Sequence, residues 1–333
     1  MTHPWIRRAA TLVCSFAIVA ALPAGAQTPA SQPSKTQPTG TLTAEAVNKA
    51  APDAGDAALL RAQILLDRMH FSPGEIDGRG GTNTTRAIAG FQRHRGLEAT
   101  GELDDRTWTA LTEGDAAALV SYTLTAEDVA GPFVEIPDDM MVQSKQDALG
   151  YENVTEALGE RFHASPALLR SLNPDAEFTA GTRIVVPNVA DAAPLAEPAR
   201  VVVSKSDSVV RLVDAAGKVY AQFPASTGSE HDPLPVGEWK IEGVATDPTF
   251  HYNPDLFWDA DPSHAKAVLP PGPNNPVGRV WIDLSKPHYG IHGTPEPANI
   301  GKTQSHGCIR MTNWSARRLA EVVKPGMAAR LEE

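Results

Sequence analysis

Two histidines precede a cysteine near the C-terminus at spacings that suit nucleophilic chemistry. Cys308 follows His292 by 16 residues and His306 by two. A thiol is a useful nucleophile near neutral pH when a base or a local positive charge favours its thiolate, and an imidazole is the usual base. Cys308 is therefore a candidate nucleophile, with His292 or His306 as its base.

The residues around this pair could supply the rest of a catalytic site. Gly307 allows a tight turn that can aim backbone N–H groups at an incoming carbonyl oxygen. The apolar stretch 289–291 predicts a strand, and His292 then lies at its rigid end. His306 is only two residues from Cys308, so we expect it to shape the backbone or contact substrate rather than transfer a proton.

Two short segments carry these residues. Residues 292–294 read His-Gly-Thr, and residues 305–310 read Ser-His-Gly-Cys-Ile-Arg. Both segments resemble the signature of the L,D-transpeptidase catalytic domain of the YkuD type. Together with 233–239 and 273–284, they extend the resemblance over about 199–331. It implies that His292 is the base and Cys308 the nucleophile, with Ser305 and His306 as supporting residues.

The resemblance also implies a reaction. Cys308 would attack the third residue of a peptidoglycan tetrapeptide stem, release the terminal D-alanine and form a thioester. An amine of a second stem would then give a cross-link between third residues, whereas water or a wall-anchored lipoprotein as acceptor would give carboxypeptidase activity or lipoprotein attachment. Arg310 is a candidate for binding a substrate carboxylate, and Gly293 and Thr294 are candidates for contacting the substrate. No cofactor or metal is implied.

Two other classes of function compete with this interpretation. In the first, His292, His306 and Cys308 would bind the zinc ion of a hydrolase, but the last two are closer in sequence than common zinc ligands are. In the second, the domain would be a non-catalytic wall-binding scaffold, which leaves the Ser-His-Gly-Cys segment without an explanation. Labelling of Cys308 that is insensitive to chelators would separate the thiol enzyme from both.

The N-terminus has the features of a secretory signal peptide. Arg7 and Arg8 precede a short apolar run that ends in small residues, which predicts removal of residues 1–26 together with Cys14. The mature chain then has 27 basic and 40 acidic residues, a net charge of −13, which argues against nucleic acid or anionic lipid as the main partner. With the apolar run removed, we expect no stable membrane insertion. Since Cys308 remains as a single thiol, we expect a chemical role for it in the periplasm.

The region after the signal peptide contains a flexible linker and a helical bundle. Residues 27–50 form the predicted linker, whose first part is rich in Pro, Thr, Ser and Gln. Residues 51–114 predict three short helices, the last capped by Asp104. Their sequence resembles the peptidoglycan-binding domain of cell-wall hydrolases, which implies peptidoglycan as a partner. The alternative interpretation is that the matching residues only maintain the fold.

The middle of the chain is predicted to contain a second linker and a small module. Residues 115–150 are interpreted as a linker with some extended structure. Residues 151–189 predict two helices, the second begun by Ser165 and Pro166, and a final strand at 183–187. This order resembles the LysM module, but no first strand is recognisable before the helices. A packing spacer is the alternative to glycan binding.

Residues 199–331 switch to closely spaced apolar runs with turn residues between them, which predicts a mostly antiparallel sheet. Asn313 is predicted to cap a helix over 314–323. The Ala- and Pro-rich stretch 189–199 predicts a semi-rigid spacer between two tethered lobes. The fold class is thus multidomain α+β, with a three-helix bundle, a small α/β module and a mainly β catalytic domain.

Overall fold

The computed structural model describes residues 42–114, 116–190 and 192–333. The predicted signal peptide and most of the first predicted linker lie outside these residues. The described residues belong to one compact unit, and none of their helices is both long and apolar enough to cross a membrane. The helices are α1 Ala44–Asn48, α2 Asp56–Arg68, α3 Thr82–Arg95, α4 Asp105–Leu111, α5 Met140–Gln143, α6 Val154–Phe162, α7 Pro166–Leu172 and α8 Asn313–Ala320.

The N-terminal bundle forms from local signals, as predicted. The Asp104 carboxylate accepts a hydrogen bond from the Thr107 backbone N–H at 2.7 Å, which caps α4. Gly96 ends α3 in the left-handed conformation. The apolar faces of α2, α3 and α4 then bury Leu66, Phe91 and Leu111 in one cluster.

The next region is closed by two strands that are distant in sequence. Strand β1 (Leu119–Thr123) pairs antiparallel with β2 (Arg183–Pro187), and α6 and α7 lie between them in sequence. Ser165 caps α7 and Pro166 occupies its first turn, as predicted. Strand β1 thus lies within the segment 115–150 that was interpreted as a linker. The LysM-like identity of the region stays a prediction.

The C-terminal part forms an eight-stranded sheet with the strand order β11-β10-β9-β6-β12-β3-β4-β5. Ile282, Ile291 and Ile309 are among the buried residues of its core, against which α8 packs Leu319. The strands β7 and β8 form a separate hairpin. The strands of this part are β3 Arg200–Ser204, β4 Val209–Val213, β5 Val219–Pro224, β6 Gly237–Thr246, β7 Phe250–Tyr252, β8 Ala267–Leu269, β9 Val280–Leu284, β10 Gly290–His292, β11 Ile309–Arg310 and β12 Ala328–Glu332.

A buried charge cluster joins the three regions. The Asp67 carboxylate of α2 is fully buried and lies 2.9 Å from Nδ1 of His163 and 3.1 Å from the Arg318 guanidinium of α8. The His163 ring also stacks on Trp314, with centroids 5.2 Å apart. Removing one partner of such a cluster would leave a buried charge uncompensated, which is costly. The expectation of two tethered lobes is therefore wrong, because specific polar contacts join the regions into one unit.

The predicted cap of α8 is also corrected. Thr312, and not Asn313, caps this helix, since its hydroxyl accepts from the Ser315 backbone N–H at 3.3 Å. The Asn313 side-chain oxygen is already occupied by the backbone N–H groups of Arg279 and Thr294, each at 3.1 Å. An oxygen held by two tertiary contacts is not available to the first turn of its own helix.

Candidate active site

The candidate catalytic residues lie on one face of the sheet. The parallel strands β10 and β11 pair Ile291 with Ile309 and His292 with Arg310. Both isoleucines are fully buried in the core, and side chains alternate between the two faces of a strand. His292 and Arg310 therefore point to the opposite face, and the same alternation places Cys308, which directly precedes β11, on that face as well.

His292 is held as a neutral imidazole with a defined tautomer. Its ring is buried and stacks on Trp281 of the neighbouring strand, with centroids 5.5 Å apart and planes 19° apart. Nδ1 lies 2.7 Å from the Gly293 carbonyl oxygen, which only accepts hydrogen bonds, so Nδ1 carries the proton and Nε2 keeps its lone pair. Burial lowers the pKa of His292 to about 4, and the positive charge of Arg310 acts in the same direction.

Cys308 is a half-buried free thiol. Its Sγ lies 3.6 Å from the carbonyl oxygen of His288. Burial raises the pKa of the Cys308 thiol to about 11, although a hydrogen bond from the Gly290 backbone and the charge of Arg310 both favour the thiolate. At neutral pH Cys308 is thus a thiol and His292 a neutral imidazole. Attack by the sulfur would therefore require transfer of the thiol proton.

This resting state predicts the pH dependence of alkylation by iodoacetamide, which reacts with the thiolate. Because the pKa of Cys308 is raised, the thiolate fraction should grow about tenfold for each pH unit between about pH 7 and about pH 10. The logarithm of the alkylation rate should therefore rise in a straight line over this range. A rate that levels off below about pH 8 would show a preformed thiolate and contradict this pair of protonation states.

A tight turn precedes Cys308. Gly307 has a φ of 96°, which only glycine adopts readily, and a Cβ atom there would come within 2.8 Å of the Tyr289 ring. The Ser305 hydroxyl spans the turn and donates to the Cys308 carbonyl oxygen at 2.5 Å, while the Ser305 N–H donates to Thr227. These contacts fix the backbone on both sides of Gly307.

The Arg310 guanidinium lies beside the thiol with part of its donor set unused. One terminal nitrogen donates to the carbonyl oxygen of Gln304. Its Nε is buried and makes no hydrogen bond with any described residue. Arg310 therefore has one structural contact and one buried donor without a partner among the described residues.

A loop between β7 and β8, residues 253–266, approaches the turn from outside the sheet. We call it the capping loop. Its Asp259 carboxylate lies 2.9 Å from Nε2 of His306, and its Phe257 packs edge-on against the same ring at 5.2 Å. Trp258 is mostly exposed and stacks on His231, with centroids 4.6 Å apart. The His306 side chain thus connects the turn at Gly307 to the capping loop.

The two residues after His292 lie inside the protein. Gly293 and Thr294 are both buried, and the Thr294 N–H donates to the Asn313 side chain. The Asn313 oxygen fills the position that a Cβ atom at Gly293 would need, since the two would be 2.1 Å apart. The contact of Gly293 and Thr294 with substrate stays a prediction.

The sequence of this chain is similar to a known family of catalytic domains. Residues 198–330 match the L,D-transpeptidase catalytic domain, and residues 56–111 match the "Putative peptidoglycan binding domain". The "Putative L,D-transpeptidase YkuD" of Bacillus subtilis (strain 168) is 34% identical over 167 residues, which are 50% of this chain and 85% of that protein. The chain belongs to the L,D-transpeptidase family. The protein of the same name from Bacillus licheniformis is 30% identical and is covered over 88% of its length.

Solved structures of L,D-transpeptidases are similar to this chain at lower identity. The enzyme from Mycobacterium smegmatis is 20% identical with a TM-score of 0.32, and the match covers 40% of this chain and 58% of that one. The enzyme from Xylanimonas cellulosilytica is 16% identical with a TM-score of 0.35, and the match covers 82% of this chain and 92% of that one.

The described residues of this L,D-transpeptidase contain no ligand set for the zinc ion considered above. Within residues 42–114, 116–190 and 192–333, no group of three or more His, Cys, Asp and Glu side chains could hold a metal ion. His306, one of the three ligands considered, instead contacts Asp259.

Sequence reasoning missed several residues around the site of this L,D-transpeptidase. Asp259, the partner of His306, follows two aromatic residues in a loop without regular structure, where no local pattern marks it. Trp281 stacks on the His292 ring, a contact that depends on the pairing of β9 with β10. Asn313 was interpreted only as a helix cap, and its contact with Thr294 depends on the pairing of distant strands.

Proposed function

We propose that this L,D-transpeptidase cross-links peptidoglycan stem peptides through a thioester on Cys308. The observation that carries the proposal is that strand register directs the thiol of Cys308 and the neutral imidazole of His292 to one face of the sheet, with His292 Nε2 unbonded among the described residues. A thiol with a raised pKa needs a base, and a histidine with a lowered pKa is unprotonated and able to act as one.

In the first half-reaction, Cys308 Sγ attacks the carbonyl carbon of the third residue of a tetrapeptide stem while His292 Nε2 takes the thiol proton. The negative charge of the tetrahedral intermediate falls on the carbonyl oxygen. The backbone N–H groups of Gly307 and Cys308 donate no hydrogen bond to another described residue, so they are available to this oxyanion. Collapse breaks the amide bond, and His292 returns the proton to the departing D-alanine.

In the second half-reaction, an amine of a neighbouring stem attacks the thioester carbonyl carbon. His292 takes a proton from this amine and returns it to the sulfur as the thioester bond breaks. The product is an amide cross-link between two third residues. Water in place of the amine gives a shortened stem, and a side-chain amine of a wall-anchored lipoprotein gives an attached protein.

Two features suit a polymeric wall substrate. The positive charge of the Arg310 guanidinium near the thiol suits a carboxylate of the stem peptide. The domain at residues 56–111 would hold the enzyme on peptidoglycan and raise the local concentration of stems without a new contact at the active site. Glycan binding by residues 151–189 stays a prediction, as does export to the periplasm by the segment 1–26.

Product analysis tests the reaction. The purified protein is incubated with a tetrapeptide muropeptide, and the products are analysed by mass spectrometry. We expect dimers that have lost one D-alanine, and we expect none with Cys308→Ala. Tripeptide monomers alone would favour the carboxypeptidase alternative. Unchanged substrate in the presence of a thiol that iodoacetamide labels would show that the proposed donor is wrong.

A further inference from the structure

We propose that Glu160, a residue of α6 outside the catalytic domain, positions the catalytic imidazole of His292 through the side-chain amide of Asn313. This inference rests on the proposed function, because it takes His292 as the base. It assigns part of the catalytic geometry to the module between the peptidoglycan-binding and catalytic domains.

The first step of the argument is the peptide bond between Gly293 and Thr294. Its carbonyl oxygen accepts the hydrogen bond from His292 Nδ1 at 2.7 Å. Its N–H donates to the Asn313 side-chain oxygen at 3.1 Å. Because a peptide unit is planar and rigid, the position of the N–H sets the direction of the carbonyl oxygen. Asn313 therefore controls the group that defines the His292 tautomer.

The second step is the direction of the Asn313 amide itself. Its oxygen must face the N–H groups of Arg279 and Thr294, and its nitrogen must face acceptors. The nitrogen donates to Glu160 Oε1 at 2.9 Å and, at the longer distance of 3.2 Å, to the Pro273 carbonyl oxygen. An amide has two nearly equivalent orientations, and the acceptors on the nitrogen side decide between them. Glu160 supplies the shorter of these two contacts.

The third step is the packing around Asn313, which leaves little freedom for another arrangement. Asn313 is fully buried. Its oxygen occupies the positions that Cβ atoms at Gly278 and Gly293 would need, at 2.0 and 2.1 Å. The two backbone segments can approach the amide this closely only because both residues are glycine.

The carboxyl group of Glu160 belongs to the site by its environment as well. Burial raises the pKa of Glu160 to about 7, against the effect of the Asn313 hydrogen bond. Both protonation states keep an acceptor oxygen for the Asn313 nitrogen. Burial of this carboxyl group costs free energy, and the group bonds directly to Asn313. Both observations support a positioning role for Glu160.

Glu160→Leu tests the proposal. Asn313→Ala would leave two buried N–H groups unpaired and can prevent folding, whereas Glu160 is at the outer end of the chain of contacts and only partly buried. Leucine is chosen over alanine because a cavity of about 600 Å³ adjoins Glu160 and could supply a replacement water. The probe is a carbapenem, which acylates the thiol without any wall substrate.

We expect Glu160→Leu to lower the maximal acylation rate of Cys308 about five- to tenfold, the size expected for the loss of one hydrogen bond, with the half-saturating carbapenem concentration unchanged. Glu160→Gln keeps an acceptor oxygen and should acylate within about twofold of the wild type. The assay uses no peptidoglycan, so its result can be interpreted even if the cross-linking proposal is wrong.

Glu156→Leu is the matched control. Glu156 lies one turn earlier on α6 and also bonds to the catalytic domain, through Asn274 at 2.7 Å. It additionally accepts from the Glu152 N–H at the start of the helix, so its loss should destabilise α6 at least as much. Its maximal acylation rate should nevertheless stay at the wild-type value. The proposal is overturned if Glu160→Leu acylates at the wild-type rate, if Glu160→Gln slows as much as Glu160→Leu, or if Glu156→Leu slows equally.

Discussion

Replacement of Cys308 by alanine is expected to lower turnover of the tetrapeptide donor by at least about 10⁴-fold, the range seen when a catalytic nucleophile is removed. The thioester proposal routes both half-reactions through Sγ, so no covalent intermediate can form in this variant. The measurement is the rate of D-alanine release in the steady state, with the intact mass of the protein recorded after incubation with a carbapenem. The variant should show neither turnover nor an adduct.

Cys308→Ser separates the chemistry of the thiol from its shape. A serine hydroxyl has a much higher pKa than a thiol, and an imidazole whose own pKa is lowered to about 4 is too weak a base to activate it. We expect this variant to be as inactive as the alanine variant, with an unchanged melting temperature because the half-buried side chain keeps its size. Turnover by Cys308→Ala near that of the wild type would disprove the thioester mechanism.

Replacement of His292 by alanine is expected to lower the acylation rate by about 10²- to 10⁴-fold, the usual contribution of a general base. The thiol remains, but its raised pKa leaves it protonated at neutral pH with no group to receive the proton. The measurement is the single-turnover rate of carbapenem acylation, followed by mass spectrometry. His251→Ala, which removes an exposed histidine from strand β7, is the matched control and should acylate at the wild-type rate.

The pH profile provides a second readout for His292. Since its folded pKa is about 4, the wild-type acylation rate should stay high through neutral pH and fall only as the pH drops towards this value. The His292→Ala variant should lack this acid limb and instead gain rate as rising pH produces thiolate. A His292→Ala variant that retains the wild-type rate and profile would assign the base to another group.

Much of the local structure follows from short sequence patterns. Asp104 and Ser165 each precede an apolar helical repeat and cap it in the structure, because a capping contact spans only three residues. The alternation of Val280, Ile282 and Leu284 likewise predicted a strand with one buried face. Such elements are readable because all the atoms that decide them are close together in the chain.

The same kind of reasoning failed where two neighbouring residues could each cap a helix. Thr312 and Asn313 are both good caps, and the sequence does not say which one begins α8. Asn313 loses that role because its amide contacts Arg279 and Thr294, which reach it from different strands. For residues 115–150 some extended structure was predicted, but not the pairing of β1, since its partner Arg183–Pro187 follows some sixty residues later and a short strand without its partner has little intrinsic preference.

The sequence by itself predicted the kind of chemistry, because the thiol of Cys308, a histidine at a strand end and a glycine turn resemble the catalytic motif of the L,D-transpeptidase family. Only the tertiary structure decided how they are supported. The face shared by His292, Cys308 and Arg310 depends on strand register, and the contact of Glu160 with Asn313 joins residues 153 positions apart. Burial likewise sets the protonation of the thiol and the imidazole, since desolvation depends on all the atoms packed around a group and not on its neighbours in sequence.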